Sequence, residues 1–201
     1  MVEAALLVAG RAAPFILSLL VLTGCPKKKT QPLQFGSMTH DFEIKWSRDA
    51  FPLAVIVDTN MADPLLGSVA HAVYTWNEVL GHKVFTVEYM NLRKDLPDTP
   101  CGWIAVVQDD KMEHDGLWRG RYHEDNIVCC AQISLKMDFT SEDRVRNNIV
   151  IHEFGHALGL SHDTKDISSI MHPKIWNDLY QHITDEDIKA IQDHYFNPIQ
   201  P

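Results

Sequence analysis

The sequence has no excess of positive charge: 18 Lys and Arg stand against 27 Asp and Glu, for a net charge of −9. A nucleic-acid role therefore has no basic footprint to rest on, and the acidic surface mainly favours solubility. The N-terminal apolar run, Ala12 to Leu22, is only 11 residues, too short for a comfortable membrane span of about 20. Cysteine is scarce: after Cys25 only Cys101, Cys129 and Cys130 remain, so one bridge at most can form among them. No internal repeat and no second domain is visible, so no targeting module points to a substrate. With 201 residues and 45% hydrophobic content, the chain reads as one domain with a sizeable core plus an N-terminal extension.

The extension reads as a targeting segment. Arg11 precedes the apolar run, and Leu22, Thr23, Gly24 and Cys25 follow it. A short apolar region before small residues is the pattern of a secretory signal, with an uncleaved anchor as the alternative. Leu-Thr-Gly-Cys resembles the bacterial lipobox, which would make Cys25 the lipidated first residue of an exported, membrane-anchored protein on the periplasmic or cell-surface face. Residues 1–24 are thus expected to be a lipoprotein signal peptide. Residues 25–43, rich in Lys, Pro and Gln at the start, are expected to be a tether. Residues 44–201 would form the domain.

The densest chemistry lies in His152–Asp163, HEFGHALGLSHD, with the spacing H-E-x-x-H-x-x-G-x-x-H. Four residues of helix turn through about 400°, so His152 and His156 stack on one face and can address a single ion. Glu153 is rotated from them by about 100°, which suits a base better than a third ligand. On a continued helix His162 would lie roughly 9 Å further along the axis, beyond the reach of an imidazole coordinating at about 2.1 Å. The helix must therefore stop, and Gly159 is where a left-handed residue can turn the chain and bring His162 back. Three neutral imidazoles would leave a tetrahedral zinc one open position for water, with Glu153 placed to take a proton from it. Asp163 would support the site from behind, orienting a histidine or the turn. Chance alone gives this five-residue pattern in roughly one such chain in ten thousand.

HEFGHALGLSHD resembles the zinc-binding consensus of the metzincin endopeptidases, and among them the matrixins. Two later segments carry the resemblance further. Ser168–Pro173, SSIMHP, is similar to the family's Met-turn, which implies that Met171 forms the floor under the zinc. Ile183–Tyr195, ITDEDIKAIQDHY, is similar to the matrixin C-terminal helix; here Thr184 with Asp187 reads as a capping pair, and Ile188, Ile191 and Tyr195 as a buried stripe. The resemblance is specific over Ile149 to Tyr195. The family's Pro-Arg-Cys-Gly latency motif does not precede the domain. Matrixins carry a tyrosine two places beyond the Met-turn proline, where this chain has Ile175, so the side-chain preference at the pocket wall is open. His172 follows Met171 as in the astacin branch, but Pro173 stands at that branch's tyrosine ligand position.

Upstream, only the order of elements supports the resemblance. Leu53–Val57 reads as a strand. Asp63 and Pro64 read as N-cap and first residue of a helix to about Leu80, with Val69, Val73, Trp76 and Leu80 buried and Gly81 ending it. Val84–Tyr89, Trp103–Val107, an edge strand near Leu117–Tyr122 and Ile127–Met137 follow as strands, and Thr140 with Asp143 as the cap of the motif helix. In the family the edge strand binds substrate by strand addition.

The expected fold is therefore α+β and metzincin-like. A twisted mixed five-stranded sheet would carry two long helices above, with the Met-turn and a C-terminal helix below. The expected activity is zinc-dependent endopeptidase chemistry: attack of a zinc-bound water on a peptide carbonyl, with His152, His156 and His162 as ligands, Glu153 as base and acid, and Gly159, Met171 and Asp163 in support. The alternatives are a non-catalytic zinc-binding surface lipoprotein, which has no need of Glu153, and an amidase for a non-protein amide. One catalytic Zn2+ is expected. His114, Asp115, His123, Glu124 and Asp125 fall where matrixins hold structural zinc or calcium but lack the family's spacing, so a solvated loop is preferred there. Partners are a protein or peptide substrate and, through Cys25, a membrane, with no nucleic acid and a monomeric state. Tyr180 is assigned to packing, with approach to a transition-state oxyanion as the alternative. For the cysteines, a bridge from Cys101 to Cys129 or Cys130 is preferred over buried thiols.

Overall fold

Leu53–Asp58 is almost continuously apolar, and burial on both faces is the reason. A computed structural model, which describes residues 45–92, 102–122, 126–137 and 142–197, sets this strand, β1, inside a five-stranded sheet. β1 pairs parallel with β2 (Phe85–Met90) on one side and β3 (Trp103–Gln108) on the other. β3 pairs parallel with β5 (Val128–Leu135), and β4 (Gly116–Tyr122) runs antiparallel along the outer side of β5. The order is β2-β1-β3-β5-β4. Both outer strands lose burial as edges do: β2 is exposed from Glu88 to Met90, and β4 buries Trp118 while exposing Arg119 and Arg121.

Two long helices, α1 (Asp63–Leu80) and α2 (Asp143–Ala157), pack on each other and on this sheet, and a short α3 (Asp185–Ile191) follows. The architecture is α+β with a mixed sheet. The stripe Val69, Val73, Trp76 and Leu80 is buried, and the Trp76 indole donates to Ile151 O at 3.0 Å, fixing α1 against α2. Phe85 and Phe154 meet edge to face, with centroids 5.1 Å apart, joining β2 to α2. Gly81 ends α1 at φ 65°, the left-handed residue that a helix C-terminus calls for. Among the described residues no helix is long and apolar enough to cross a membrane.

Two helix starts differ from expectation. Asp63 is the first residue of α1, not its cap; the cap position is Ala62, which has no side chain to offer. The Ala62 amide instead donates to Gln108 Oε1 at 2.8 Å, so a strand end takes the capping role. At α2 the cap position is Glu142, without a side-chain cap bond, and Thr140 lies outside the described residues. Arg146 pairs with Asp143 across the first turn instead. Of the adjacent cysteines on β5, Cys129 is disulfide-bonded, to a partner outside the described residues, while Cys130 is a buried thiol. The two side chains leave a strand on opposite faces. Residues 1–44, with Cys25, also lie outside the described part.

Beneath α2 the chain runs irregularly to α3. The capping pair at α3 forms in full: Thr184 Oγ1 accepts from Asp187 N at 3.2 Å, and Asp187 Oδ2 accepts from Thr184 N at 3.0 Å. Ile191 and Tyr195 are buried as the stripe requires, with Ile188 partly so. Tyr195 lies in a wider final turn, and its hydroxyl accepts from Trp46 N at 3.3 Å. The Trp46 indole donates to Ala157 O at 2.7 Å, so the first described residues bind the end of α2 to the C-terminal segment. Thr184→Ala removes the first half of the capping pair and is expected to cost about 1 kcal/mol. A urea midpoint that does not fall in this variant would remove the cap from the account of α3.

Candidate metal centre

α2 ends at Ala157, and the backbone there shows why His162 can return. Leu160 N donates to Gly155 O at 3.0 Å and Gly159 N to His156 O at 2.9 Å, the paired bonds of a helix closed by a left-handed residue, here Gly159 at φ 92°. The turn also gives His156 its partner: His156 Nδ1 donates to Leu160 O at 2.7 Å. His152 Nδ1 donates to Ile170 O at 2.7 Å. A carbonyl can only accept, so each Nδ1 carries the proton and each Nε2 lone pair is left for a ligand. His156 Nε2 and His162 Nε2 lie 3.2 Å apart, close to the roughly 3.4 Å separation of two nitrogens about 2.1 Å from a tetrahedral ion. One ring nitrogen from each of the three histidines falls within 4.8 Å of the others.

Electrostatics point the same way. Burial lowers the His152 pKa to about 4, with the backbone bond to Ile170 opposing and the neighbouring His162 and His172 adding to the fall. Burial, helped by His152, holds His156 well below the usual histidine range, and burial also lowers His162. Three imidazoles kept neutral at pH 7, with lone pairs converging, are a donor set for a borderline-soft divalent ion. Among the described residues no other group of three His, Cys, Asp or Glu side chains has such an arrangement. Within the described residues His114 and Asp115 join no such cluster, and the other members of that candidate group, His123, Glu124 and Asp125, lie outside the described residues.

Glu153, 6% exposed, points toward β4. Its carboxylate accepts from the Trp118 amide, and burial raises its pKa to about 8 against that bond. Gly116 leaves room for it: a Cβ at Gly116 would lie 2.6 Å from Glu153 Oε1. The edge strand thus holds the carboxylate by one amide and one missing side chain. Nothing local in the sequence signals either contact, since the two elements are joined only in the fold.

Met171 is fully buried below α2, against Gly155, where an added Cβ would overlap its sulfur. Its carbonyl accepts from Asp163 N at 2.9 Å. The Asp163 carboxylate accepts from the Lys165 and Asp166 amides at 2.8 and 3.3 Å, so it shapes the turn after His162 rather than touching an imidazole. The His172 ring nitrogen bonds the Lys174 backbone. Tyr180, assigned to packing, is 73% exposed and stacks only on His182, with centroids 6.0 Å apart, among the described residues. A further residue not singled out from the sequence is Arg144, whose guanidinium donates to Leu179 O at 2.7 Å and to Asn177 O, tying the loop after Met171 to the start of α2.

Three imidazoles around one point, His152 buried and His156 and His162 half-buried, with a carboxylate beside them form a candidate metal centre. The profile of the matrixin family matches residues 27–196, and the chain belongs to that family. It is 45% identical over 56 residues to interstitial collagenase of Equus caballus, a match covering 26% of this chain and 12% of that protein. Among solved structures, myroilysin aligns over 74% of this chain and 80% of its own at 16% identity and a TM-score of 0.43. High choriolytic enzyme 1, a hatching-enzyme zinc protease of Oryzias latipes, aligns over 80% of this chain and 98% of its own at 15% identity and 0.44.

A carboxyl raised from 4.5 to about 8 on folding makes stability depend on pH. Its contribution is complete below pH 4.5, where the unfolded chain is protonated too, and is lost as pH rises through 8. In metal-free protein, Glu153→Gln should therefore match the parent near pH 4.5 and exceed it above pH 8 by on the order of 4 kcal/mol. Denaturant unfolding at the two pH values checks this, and a gap that stays constant with pH would contradict the buried protonated carboxyl.

Proposed function

We propose that the chain is a zinc-dependent endopeptidase. The observation that carries this reading is the convergence of three lone-pair-bearing imidazoles beside a buried carboxylate, under a strand that is an edge of the sheet among the described residues. His152, His156 and His162 would hold the ion through Nε2. Zinc held there supplies a Lewis acid that lowers the pKa of a water and polarises a carbonyl.

The remaining steps belong to the chain's own groups. Among the described residues β4 pairs only with β5, so its outer backbone edge would be open to an extended peptide, which would gain main-chain bonds independent of side chains. Glu153 takes the proton from the attacking water and returns it to the leaving amine. Burial raises its pKa in the metal-free chain, which makes it a stronger base than an exposed glutamate. The Trp118 amide holds one oxygen in place during the exchange, and Gly116 keeps the position free. Met171, Gly159 and Asp163 hold the imidazoles rather than react.

Glu153→Ala should keep stoichiometric zinc while lowering kcat by about a thousandfold or more. Cleavage of a mixed peptide library, with and without chelator, together with metal analysis, tests it. Substantial chelator-sensitive cleavage by the variant would sink the mechanism.

We also propose that the chain is exported, anchored through lipid on Cys25 and monomeric, acting on protein or peptide substrates at a bacterial membrane. The support is the Leu22–Cys25 pattern. Cells expressing the full chain should incorporate labelled palmitate into it, and Cys25→Ala should abolish the label. Equal labelling of both forms would overturn the anchor.

A further inference from the structure

Lys45, Trp46, Ser47 and Arg48 open the described part of the chain and meet its other end. Arg48 Nη2 donates to His194 O at 3.4 Å, and Trp46 N to the Tyr195 hydroxyl at 3.3 Å. Between the two segments lies a cavity of about 800 Å³, within the range of small-molecule sites, about 300–1,000 Å³. Trp46, Ile127, Ala190 and Tyr195 supply its apolar wall. Trp46 and Tyr195 are buried, and the Trp46 indole is pinned to Ala157 O, so this wall is formed in advance. Lys45 is fixed as well: its carbonyl accepts from Val128 N at 2.7 Å, and its N donates to Asn126 O at 3.0 Å. None of the lining residues belongs to the metal centre.

The polar part of the wall runs against the charge of the chain. Lys45, Arg48 and His194 all line the cavity, in a protein of net charge −9. They stand close enough to repel one another: burial, and after it the charges of Lys45 and Arg48, lower the His194 pKa. Among the described residues neither Lys45 nor Arg48 forms an ion pair. Asp193, an acid on the same wall, is engaged elsewhere; it pairs with Lys189 and accepts from Asn197 Nδ2 at 3.0 Å. Basic groups gathered around one concavity favour an anion between them.

We propose that this cavity is a binding site for a phosphate group carried on an apolar body, and that its source is an anionic phospholipid. The headgroup phosphate would sit between Lys45, Arg48 and His194, with the glycerol and upper acyl part against Trp46 and Tyr195. Phosphate suits these donors, since a guanidinium fork matches two of its oxygens and an ammonium supplies a point charge for a third. Free phosphate would fill little of such a cavity and leave the apolar wall without contact. The lipid source follows from position: Lys45 comes directly after the start of the domain that the expected tether, residues 25–43, would hold at a membrane. That choice of source rests on the anchoring reading above.

The test uses the full zinc-loaded chain with two soluble short-chain lipids, dihexanoyl phosphatidylglycerol and dihexanoyl phosphatidylcholine, and inorganic phosphate as a third probe. The reporter is the imidazole resonance that disappears in His194→Gln. Phosphatidylglycerol should shift it at concentrations about tenfold below those needed for phosphatidylcholine, whose choline cation would face Lys45 and Arg48, or for inorganic phosphate. Combining Lys45→Ala with Arg48→Ala should weaken the phosphatidylglycerol response about tenfold or more, with zinc content unchanged, since both side chains are exposed. An equal response to the two lipids overturns the site, as does an undiminished response in the double variant. A response to inorganic phosphate as strong as that to phosphatidylglycerol overturns the lipid source and leaves an adventitious ion only. No shift with any probe overturns the whole proposal. The probes are free in solution, so none of these outcomes depends on lipid at Cys25, and the labelling experiment decides the anchor separately.

Discussion

Two hydrogen bonds from imidazole to backbone hold the rest of the structure in register: His152 Nδ1 to Ile170 O and His156 Nδ1 to Leu160 O, both 2.7 Å. Each fixes a ring's tautomer and rotation, which is what turns two histidines into aligned donors. Each also ties α2 to chain that comes after it, so the centre and the path of the lower segment are one construction. The second depends on Gly159. With φ at 92° it occupies backbone space that a side chain makes costly, and only from that conformation does Leu160 O come back under His156. The arrangement of the imidazoles is thus decided by a residue with no functional group.

Such a centre works against stability. α2 buries Arg146, Asn148, His152 and Glu153 among its apolar residues, so polar groups are withdrawn from water on more than one face. Burial pushes the carboxyl toward its neutral acid and the imidazoles toward their neutral base. The same displacement leaves the nitrogens free to coordinate and makes the carboxyl a stronger base. Arg146 is compensated by Asp143, and the Glu153 carboxyl by one backbone amide. The remaining deficit is met by apolar packing elsewhere, chiefly the joint of α1 and α2 around Trp76 and Phe154, both fully buried.

The chemistry of α2 was therefore easier to read in the sequence than its secondary structure. A helix with polar groups buried among apolar ones has little apolar stripe, whereas the spacing of His152, Glu153, His156, Gly159 and His162 depends only on helix geometry and one turn residue. Strands β1, β3 and β5 were legible because burial on both faces imposes apolar runs, and α1 because its stripe is regular. What did not show were contacts made across the fold. Ala62 takes its capping partner from Gln108, 46 residues away, so Asp63 offered a misleading local signal. Gly116 and Trp118 meet Glu153 only once β4 has paired with β5. The choice of Cys129 over Cys130 for the disulfide depends on which face of β5 each leaves, and that register is not local either.

The floor of the centre shows how far such contacts extend. Methionine is ordinarily a flexible filler, yet Met171 is held at three points. Its amide donates to Ser169 Oγ at 2.9 Å, its carbonyl accepts from Asp163 N at 2.9 Å, and its sulfur fills the space Gly155 leaves open. Ser169 Oγ in turn donates to Asp187 Oδ2 at 3.4 Å, the same oxygen that accepts from the Thr184 amide and hydroxyl. The N-terminus of α3 and the floor under the imidazoles therefore share one carboxylate. Burial raises the pKa of Asp187 while the Thr184 and Ser169 donors oppose it, as expected of a group kept for its bonds rather than its charge. Its place in the structure is to let the last helix fix the position of a methionine that α2, by itself, would leave free to move.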